Sequence, residues 1–356
     1  MFCDEDMSGY DEVLMWKKFD LSLGIVNELQ MELERNGGAT GWTRGLVNSF
    51  LMKNGLPIYD SQSGYDPEWE KEGVNKTLEG RDSRIVIFTK KPGDVNYYQS
   101  NGTPDLCEID YIFGNAGTEA TTGFIVKKGK HYSELMAVNH HYGTSGGICF
   151  RAAEALLIYM EASYEKNGNI DATASQYWKA LRKRAGVDED FTKTIAATVM
   201  AEEAKGDWGA YSKGALIDPT LYNIRRERRN ELIGEAMRLD DLKRWRALDQ
   251  LVNNPYQVEG MLFWGSVYET ELAAKTMVGE NMNSKEQSNY ILPYHKVLTN
   301  NSVHAQGGLK WNTAHYLSPI GASVFRQTAS DATNIAGSSS VYQNPGWSTE
   351  AGTSPK

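Results

Sequence analysis

Between Asp218 and Leu248 the chain reads DPTLYNIRRERRNELIGEAMRLDDLKRWRAL, and this run restricts the fold more than any other. Asp218 followed by Pro219 is a helix start: an acidic N-cap, then proline at the first helical position, where its missing N–H costs nothing. Only Gly234 interrupts the run, and Leu221, Ile224, Leu232, Leu239 and Leu242 recur at helical spacing. Together they predict one long helix. Arg228 and Glu235 fall on or beside the same apolar stripe. Removing one partner of a buried ion pair costs roughly 3–5 kcal/mol, so charges on that stripe need partners on neighbouring elements.

Two uses of this array compete. Arg225, Arg226, Arg228 and Arg229 would serve as an anion or nucleic-acid patch, with Glu227, Glu231 and Glu235 as acid–base groups, or the whole array is structural. The arginines are interleaved with acids at i,i+3 and i,i+4, which neutralises the face. A nucleic-acid surface leaves its positive charge unpaired. A net charge of −9 and a pI near 5.3 also argue against nucleic acid and an anionic membrane face. The structural use is therefore expected.

The same stretch resembles a known family. R-R-E-R-R-x-E-L followed by E-x-x-R-x-x-D-L-x-R-W, from Arg225 to Trp245, is similar to the signature helix of the SusD/RagB proteins. These are outer-membrane nutrient-binding proteins of gut and oral Bacteroidota. Ala236 stands where glycine is common and Leu239 where an aromatic is common; both read as packing substitutions. Further boxes appear in family order from residue 12 to residue 347. They are Glu12-Val13-Leu14-Met15, the LV-x-x-F-x-M-K-x-G segment from Leu46, Arg81-Asp82-Ser83-Arg84, Gly123-Phe124, R-x-A-E-A-L-L-I-Y from Arg151, Tyr316-Leu317-Ser318-Pro319-Ile320, and Gln343-Asn344-Pro345-Gly346-Trp347. The resemblance marks Arg81, Asp82, Arg84, Arg225, Glu227, Arg228, Glu231, Glu235, Arg238, Asp241, Arg244, Trp245 and Trp347 as structural signature residues.

Read in order, residues 12 to 16 form a short strand, and Ile25 to Glu34 is strand or helix, stopped by Gly37-Gly38. A helical turn follows Leu46, then Asn54-Gly55 turns the chain. Tyr65, Pro67 and Trp69 lie on an exposed loop. Asp82 ties Arg81 and Arg84 to local backbone, and Arg84 to Thr89 reads as a strand from its β-branched content. Residues 91 to 122 are irregular and rich in aromatics, a length that points to function. Gly123 to Lys127 is another strand, and Gly143 to Gly147 turns into a helix from Ile148 to Asn167 that is apolar nearly all round. A second helix carries Tyr177, Leu181 and Arg184 and ends at Gly186. The pair makes a tetratricopeptide-like unit of roughly 35 residues. Gly206 to Gly214 is a loop; Met261 to Trp264 reads as a short strand or a loop. The Ser-, Gly- and Asn-rich tail reads as flexible by composition, but the resemblance implies that Trp347 pins it to the body. The expected fold is mainly α and SusD-like, one domain in three parts: a loop- and strand-rich part over 1–146, a tetratricopeptide-like part over 147–252, and an irregular part over 253–356.

Chemistry-bearing motifs are sparse. Three cysteines make no disulfide framework. His140-His141 would point to opposite sides of a strand, with no third ligand to complete a zinc set. GTSGG lacks the Lys-Ser/Thr of a phosphate loop, and no G-x-S-x-G elbow occurs. No metal, cofactor or catalysis is expected. The loop aromatics are the better lead, because flat rings stack on sugar C–H faces while amides bind hydroxyls at roughly 0.5–1.5 kcal/mol each. Tyr97, Tyr98, Tyr111 and Phe113, with Asn96 and Asn101, place these groups on one long loop, with Trp69 and Trp208 as secondary candidates. The resemblance implies capture of an oligosaccharide or other nutrient at the surface of the outer membrane, with a SusC-like TonB-dependent transporter as partner. A protein-binding helical scaffold and a glycan-cleaving enzyme are the alternatives. No apolar run approaches the ~18 residues of a membrane span. Residues 1–12 form no signal peptide, and Cys3 lacks the apolar stretch that precedes a lipidated cysteine. On the resemblance, a signal, a lipid anchor and an N-terminal helical part would precede Met1.

Overall fold

The computed structural model describes residues 1–35, 40–113, 120–295, 307–350, 352, 353 and 355. Glu12 leads into β1 (Val13–Lys17), as the sequence predicts, and the next segment resolves as helix α1 (Leu29–Arg35). Its predicted stop at Gly37-Gly38 lies outside the described residues. Thr43 caps α2 (Arg44–Ser49) by accepting the Leu46 N–H, and Gly55 turns the chain at φ 80°. The Pro67 segment is no open loop: Asp66 caps a 3-10 turn over Pro67–Glu72 that leads into α3 (Val74–Thr77).

Arg84 begins a helix rather than the predicted strand. In α4 (Ser83–Phe88), Asp82 is the N-cap and accepts the Arg84 N–H at 2.9 Å. The β-branched residues follow that cap because Ile85 must be buried and Arg84 must reach partners far along the chain. Extended backbone starts only at β2 (Thr89–Lys90). The next segment is also more regular than its composition implies: β3 (Val95–Tyr98) and β4 (Pro104–Leu106) form an antiparallel hairpin, followed by a 3-10 turn over Ile109–Phe113. β5 (Ile125–Val126) pairs with β2, and α5 (Glu134–Val138) follows. The predicted helix from Ile148 starts late, because β6 (Gly147–Arg151) pairs antiparallel with β1, Trp16 opposite Ile148.

The helical layer is α6 (Ala152–Asn167), α7 (Ala172–Arg184), α8 (Phe191–Ala197) and α9 (Met200–Glu203). Gly168 ends α6 in the left-handed conformation at φ 71°, where glycine pays no Cβ penalty. Asp171 caps α7, and Gly186 turns the chain after it. Leu157, Met160, Trp178, Leu181, Phe191 and Ile224 form the core of this layer, with Trp178 and Phe191 stacked at 4.4 Å. A second core joins α2, α3 and α4 to later chain through Val47, Phe50, Leu78, Ile85, Phe124, Met261, Phe263 and Ile291. Met261 to Trp264 is thus a largely buried connection, with Leu262 bridged to Tyr290.

Residues 206 to 214 hold a 3-10 turn over Trp208–Ala210 and one strand of a small hairpin, β7 (Tyr211–Ser212) against β8 (Ala215–Leu216). Asp218 then caps α10 (Pro219–Glu231), accepting from Thr220 and Leu221. The predicted single helix is two. Gly234 and Ala236 take positive φ, 72° and 62°, and the chain restarts as α11 (Arg238–Arg244). Ala236 is therefore a backbone matter rather than a packing substitution, since the left-handed conformation favours glycine. Leu239, set on the apolar stripe by the one-helix expectation, is 52% exposed. α12 (Val267–Glu271), α13 (Ala322–Thr328) and α14 (Ile335–Ser338) complete the described elements. The tail is docked: the Trp347 Nε1–H points at the carbonyls of Ala314 and Leu317, each at 2.9 Å.

Candidate functional site

α10 is buried on most of its circumference despite its charge, and its partners come from other elements rather than from its own turns. Arg84 reaches across from α4 to Glu227 at 2.6 Å and Glu231 at 3.0 Å while holding Asp82 at 2.7 Å. Arg151, delivered by β6, donates to Glu231 at 2.7 Å and grips Glu235 through two nitrogens at 2.7 and 2.8 Å. Glu227 also accepts the Trp178 indole N–H. Burial works to raise the Glu231 pKa; Arg84, Arg151 and Arg184 overcome it and lower it from 4.5 to about 2. Arg81 does not lean on Asp82 as expected. It is fully buried and donates to the carbonyls of Val47 and Phe50.

The second half of the array fixes α11. Arg228 Nε donates to both oxygens of Asp241, at 2.8 and 2.9 Å. Arg244 donates to Asp241 and to both oxygens of Glu161 on α6, and Trp245 Nε1 also donates to Glu161. The Arg225 guanidinium lies 4.5 Å over the Trp245 ring. Arg229 and Arg238 share Asp207, while Arg226 pairs with Glu203. These groups are held inside the fold, Arg225 by the Gly209 and Tyr211 carbonyls and the Ser212 hydroxyl and the others by ion pairs, which leaves no open cationic face on α10.

The break between α10 and α11 opens a concave space of about 370 Å³. Its walls include Trp42 and Leu46 from the α2 region, Leu232, Ile233 and Met237 from the break, and Val258. Trp208 and Tyr256 also line it, their rings edge-to-face at 5.1 Å. Arg228, Arg238 and Asp241 also line it.

On the β3–β4 hairpin the structure separates the predicted aromatic set. Tyr98 is 50% exposed, and its ring lies 6.2 Å from that of Tyr132, itself 40% exposed. The Tyr98 N–H donates to the Tyr132 carbonyl at 3.1 Å, which sets the two side by side. Tyr97 is half-buried on the same strand. Asn101 is exposed at the hairpin tip, where its side chain accepts the Thr103 N–H. The others are not displayed on a loop. Asn96 is fully buried and donates to Asp105 and Tyr111. Phe113 packs edge-to-face on Phe263 against the core. Trp69 sits edge-on to Tyr65 with the Lys76 ammonium 4.7 Å over its ring.

Sequence reasoning missed Tyr132, which no local motif marks, and the pocket, whose walls come from separate stretches of chain. Spacing had placed His140 and His141 apart; instead both rings turn to Glu28, at 3.3 and 2.8 Å. Among the described residues no group of three His, Cys, Asp or Glu is placed to hold a metal ion. No described helix is long and apolar enough to cross a membrane.

The architecture is that of a mainly helical protein with paired helices carrying short strands and loops. The chain belongs to the SusD family, whose model matches residues 25–347. Its fold is similar to that of a SusD-like protein from Bacteroides fragilis, at a TM-score of 0.55 and 18% identity, over 96% of this chain and 56% of that one. It is likewise similar to the solved structure of BT4246, at a TM-score of 0.53 and 18% identity, over 95% of this chain and 51% of the other. The chain thus spans about half the length of the structures it matches. No curated protein matches it.

Proposed function

We propose that this chain is part of a cell-surface binding protein that captures a glycan or other nutrient and delivers it to a TonB-dependent outer-membrane transporter of the SusC type. The reading rests on family membership and places the protein at the outer membrane, acting by binding without catalysis. The division into a ligand-facing part over 1–146, a tetratricopeptide-like part over 147–252 and a packed C-terminal part over 253–356 belongs to the same proposal. One observation supports a contact surface: Tyr98, on a hairpin whose tip carries Asn101, stands side by side with Tyr132 from a later segment, both open to solvent. Two neighbouring rings suit consecutive sugar units, each contact weak and the sum useful.

The test is affinity electrophoresis and calorimetry against plant, host and microbial polysaccharides, on this chain and on the entire product of its gene. Retardation by one glycan that falls about tenfold in Tyr98→Ala and Tyr132→Ala, with unchanged circular dichroism, supports the reading. No binding by the folded gene product to any glycan moves the cargo to peptide or leaves a protein-binding scaffold. Release of reducing ends would instead make the protein a glycan-cleaving enzyme.

A further inference from the structure

α2 meets the segment after α9 backbone to backbone. A Cβ on Gly45 would stand 2.5 Å from the Gly206 carbonyl oxygen, and one on Gly206 would stand 2.9 Å from the Gly45 Cα, so only glycine at both positions allows the approach. Beside this contact opens a second concave space, of about 420 Å³, lined by Arg44, Asn48, Tyr59, Glu202, Tyr256 and Glu259 among others. Glu203 and Asp207, both nearly fully buried, also line it.

The charges of this wall cancel locally. Glu203 pairs with Arg226, Asp207 with Arg229 and Arg238, Glu202 with Lys205, and Glu259 with Arg44 at 3.0 Å. Each of these carboxylates has a cation against it, and the two cations of the wall, Arg44 and Lys205, are both taken. A charged ligand would give up its hydration for groups already neutralised. What stays open is different in kind. The Asn48 amide and the Tyr256 hydroxyl make no hydrogen bond among the described residues, and their polar atoms are open to solvent rather than sealed in the fold. Glu259 gives Arg44 one carboxylate oxygen and leaves the other open.

These three groups are neighbours. Arg44, Gly45 and Asn48 share one face of α2, at i,i+3 and i,i+4 spacing. The Tyr256 hydroxyl reaches that face, 2.9 Å from where a Cβ on Gly45 would be, and Arg44 holds Glu259 to it. An amide, a phenol and a carboxylate oxygen together ask for partners that both donate and accept, which is the property of hydroxyls. Ile58 and the Tyr59 ring add apolar wall for a C–H face. The volume suits a small molecule.

We propose that this space binds a neutral, hydroxyl-rich molecule of about the size of a sugar ring, held by Asn48, Tyr256 and Glu259. It shares no residue with the Tyr98–Tyr132 surface, and the proposal stands on the groups of the cavity rather than on the reading of that surface.

The experiment is calorimetry on the entire gene product with glucose, galactose and mannose, and with the uronate and the 2-amino sugar of each as charged counterparts. At least one neutral hexose is expected to bind, and more tightly than its two charged counterparts. Tyr256→Phe, which keeps the ring and removes the hydroxyl, and Asn48→Ala should each weaken that hexose about fivefold, with circular dichroism unchanged. Tyr98→Ala should leave its binding unchanged. No binding by any neutral hexose, tighter binding of a charged counterpart, or unchanged binding in either cavity variant overturns the proposal. Loss of hexose binding in Tyr98→Ala overturns it too, and places the sugar on the hairpin surface instead. Failure of polysaccharide binding at Tyr98 and Tyr132, with the hexose still bound, overturns the surface reading alone.

Discussion

Glu231→Gln tests whether the buried charges of α10 hold the fold together. Glu231 is 5% exposed and accepts from Arg84 at 3.0 Å and Arg151 at 2.7 Å, with Arg184 also paired to it. The amide keeps the shape and removes the charge. Arg84 retains Asp82 and Glu227, and Arg151 retains Glu235 and Glu12, so the cost falls at the low end of the range for a broken buried pair, about 3 kcal/mol. An independent route agrees: lowering a carboxyl pKa from 4.5 to about 2 corresponds to roughly 3 kcal/mol of folding stability. Because the folded value lies below the unfolded one, this stability is present in full above pH 4.5 and is lost as pH falls towards 2. Urea unfolding followed by circular dichroism, with tryptophan fluorescence as the check on cooperativity, should show a loss of about 3 kcal/mol at pH 7. The gap between parent and variant should then narrow on acidification through that window. A loss under about 1 kcal/mol at pH 7, or a gap that stays constant down to pH 2, refutes the reasoning.

Two further outcomes are expected. Ala236→Gly should raise stability by about 1 kcal/mol, seen as a higher melting temperature, because φ at this position is 62° and a Cβ is disfavoured there. Trp347→Ala should release the tail and accelerate tryptic cleavage after Arg326 about fivefold, read by mass spectrometry, since the indole ties residue 347 to the 314–317 turn and local opening becomes about 1 kcal/mol easier.

Much of the helical layer was legible in the sequence because its signals are local. Asp218-Pro219, Gly168 and Gly186 act through backbone conformation and hydrogen bonds within a few residues, so the helix start and stops they predict are found in place. Arg84 to Thr89 failed for the complementary reason. Its β propensity is a weak preference, and the Asp82 cap together with the Glu227 and Glu231 partners outweighs it. The aromatic candidates divided along the same line. Composition identifies rings, but burial is a property of the assembled fold: Tyr98 reaches solvent, Phe113 meets Phe263, and Tyr132 arrives beside Tyr98 through pairing with another part of the chain.

The sequence by itself determined that the charges of the 218–248 run need internal partners, because a buried unpaired charge is too costly in any fold. It also determined the family, through boxes in a fixed order. Only the tertiary structure decided which groups answer which. Arg84 with Glu231, Arg151 with Glu235 and Arg244 with Glu161 join elements remote in sequence. Only it divided the run at Gly234 and Ala236, and brought Trp42, Leu232 and Val258 to the wall of one largely apolar space. Pairing over such separations depends on how whole elements pack, and no local pattern of residues encodes that geometry.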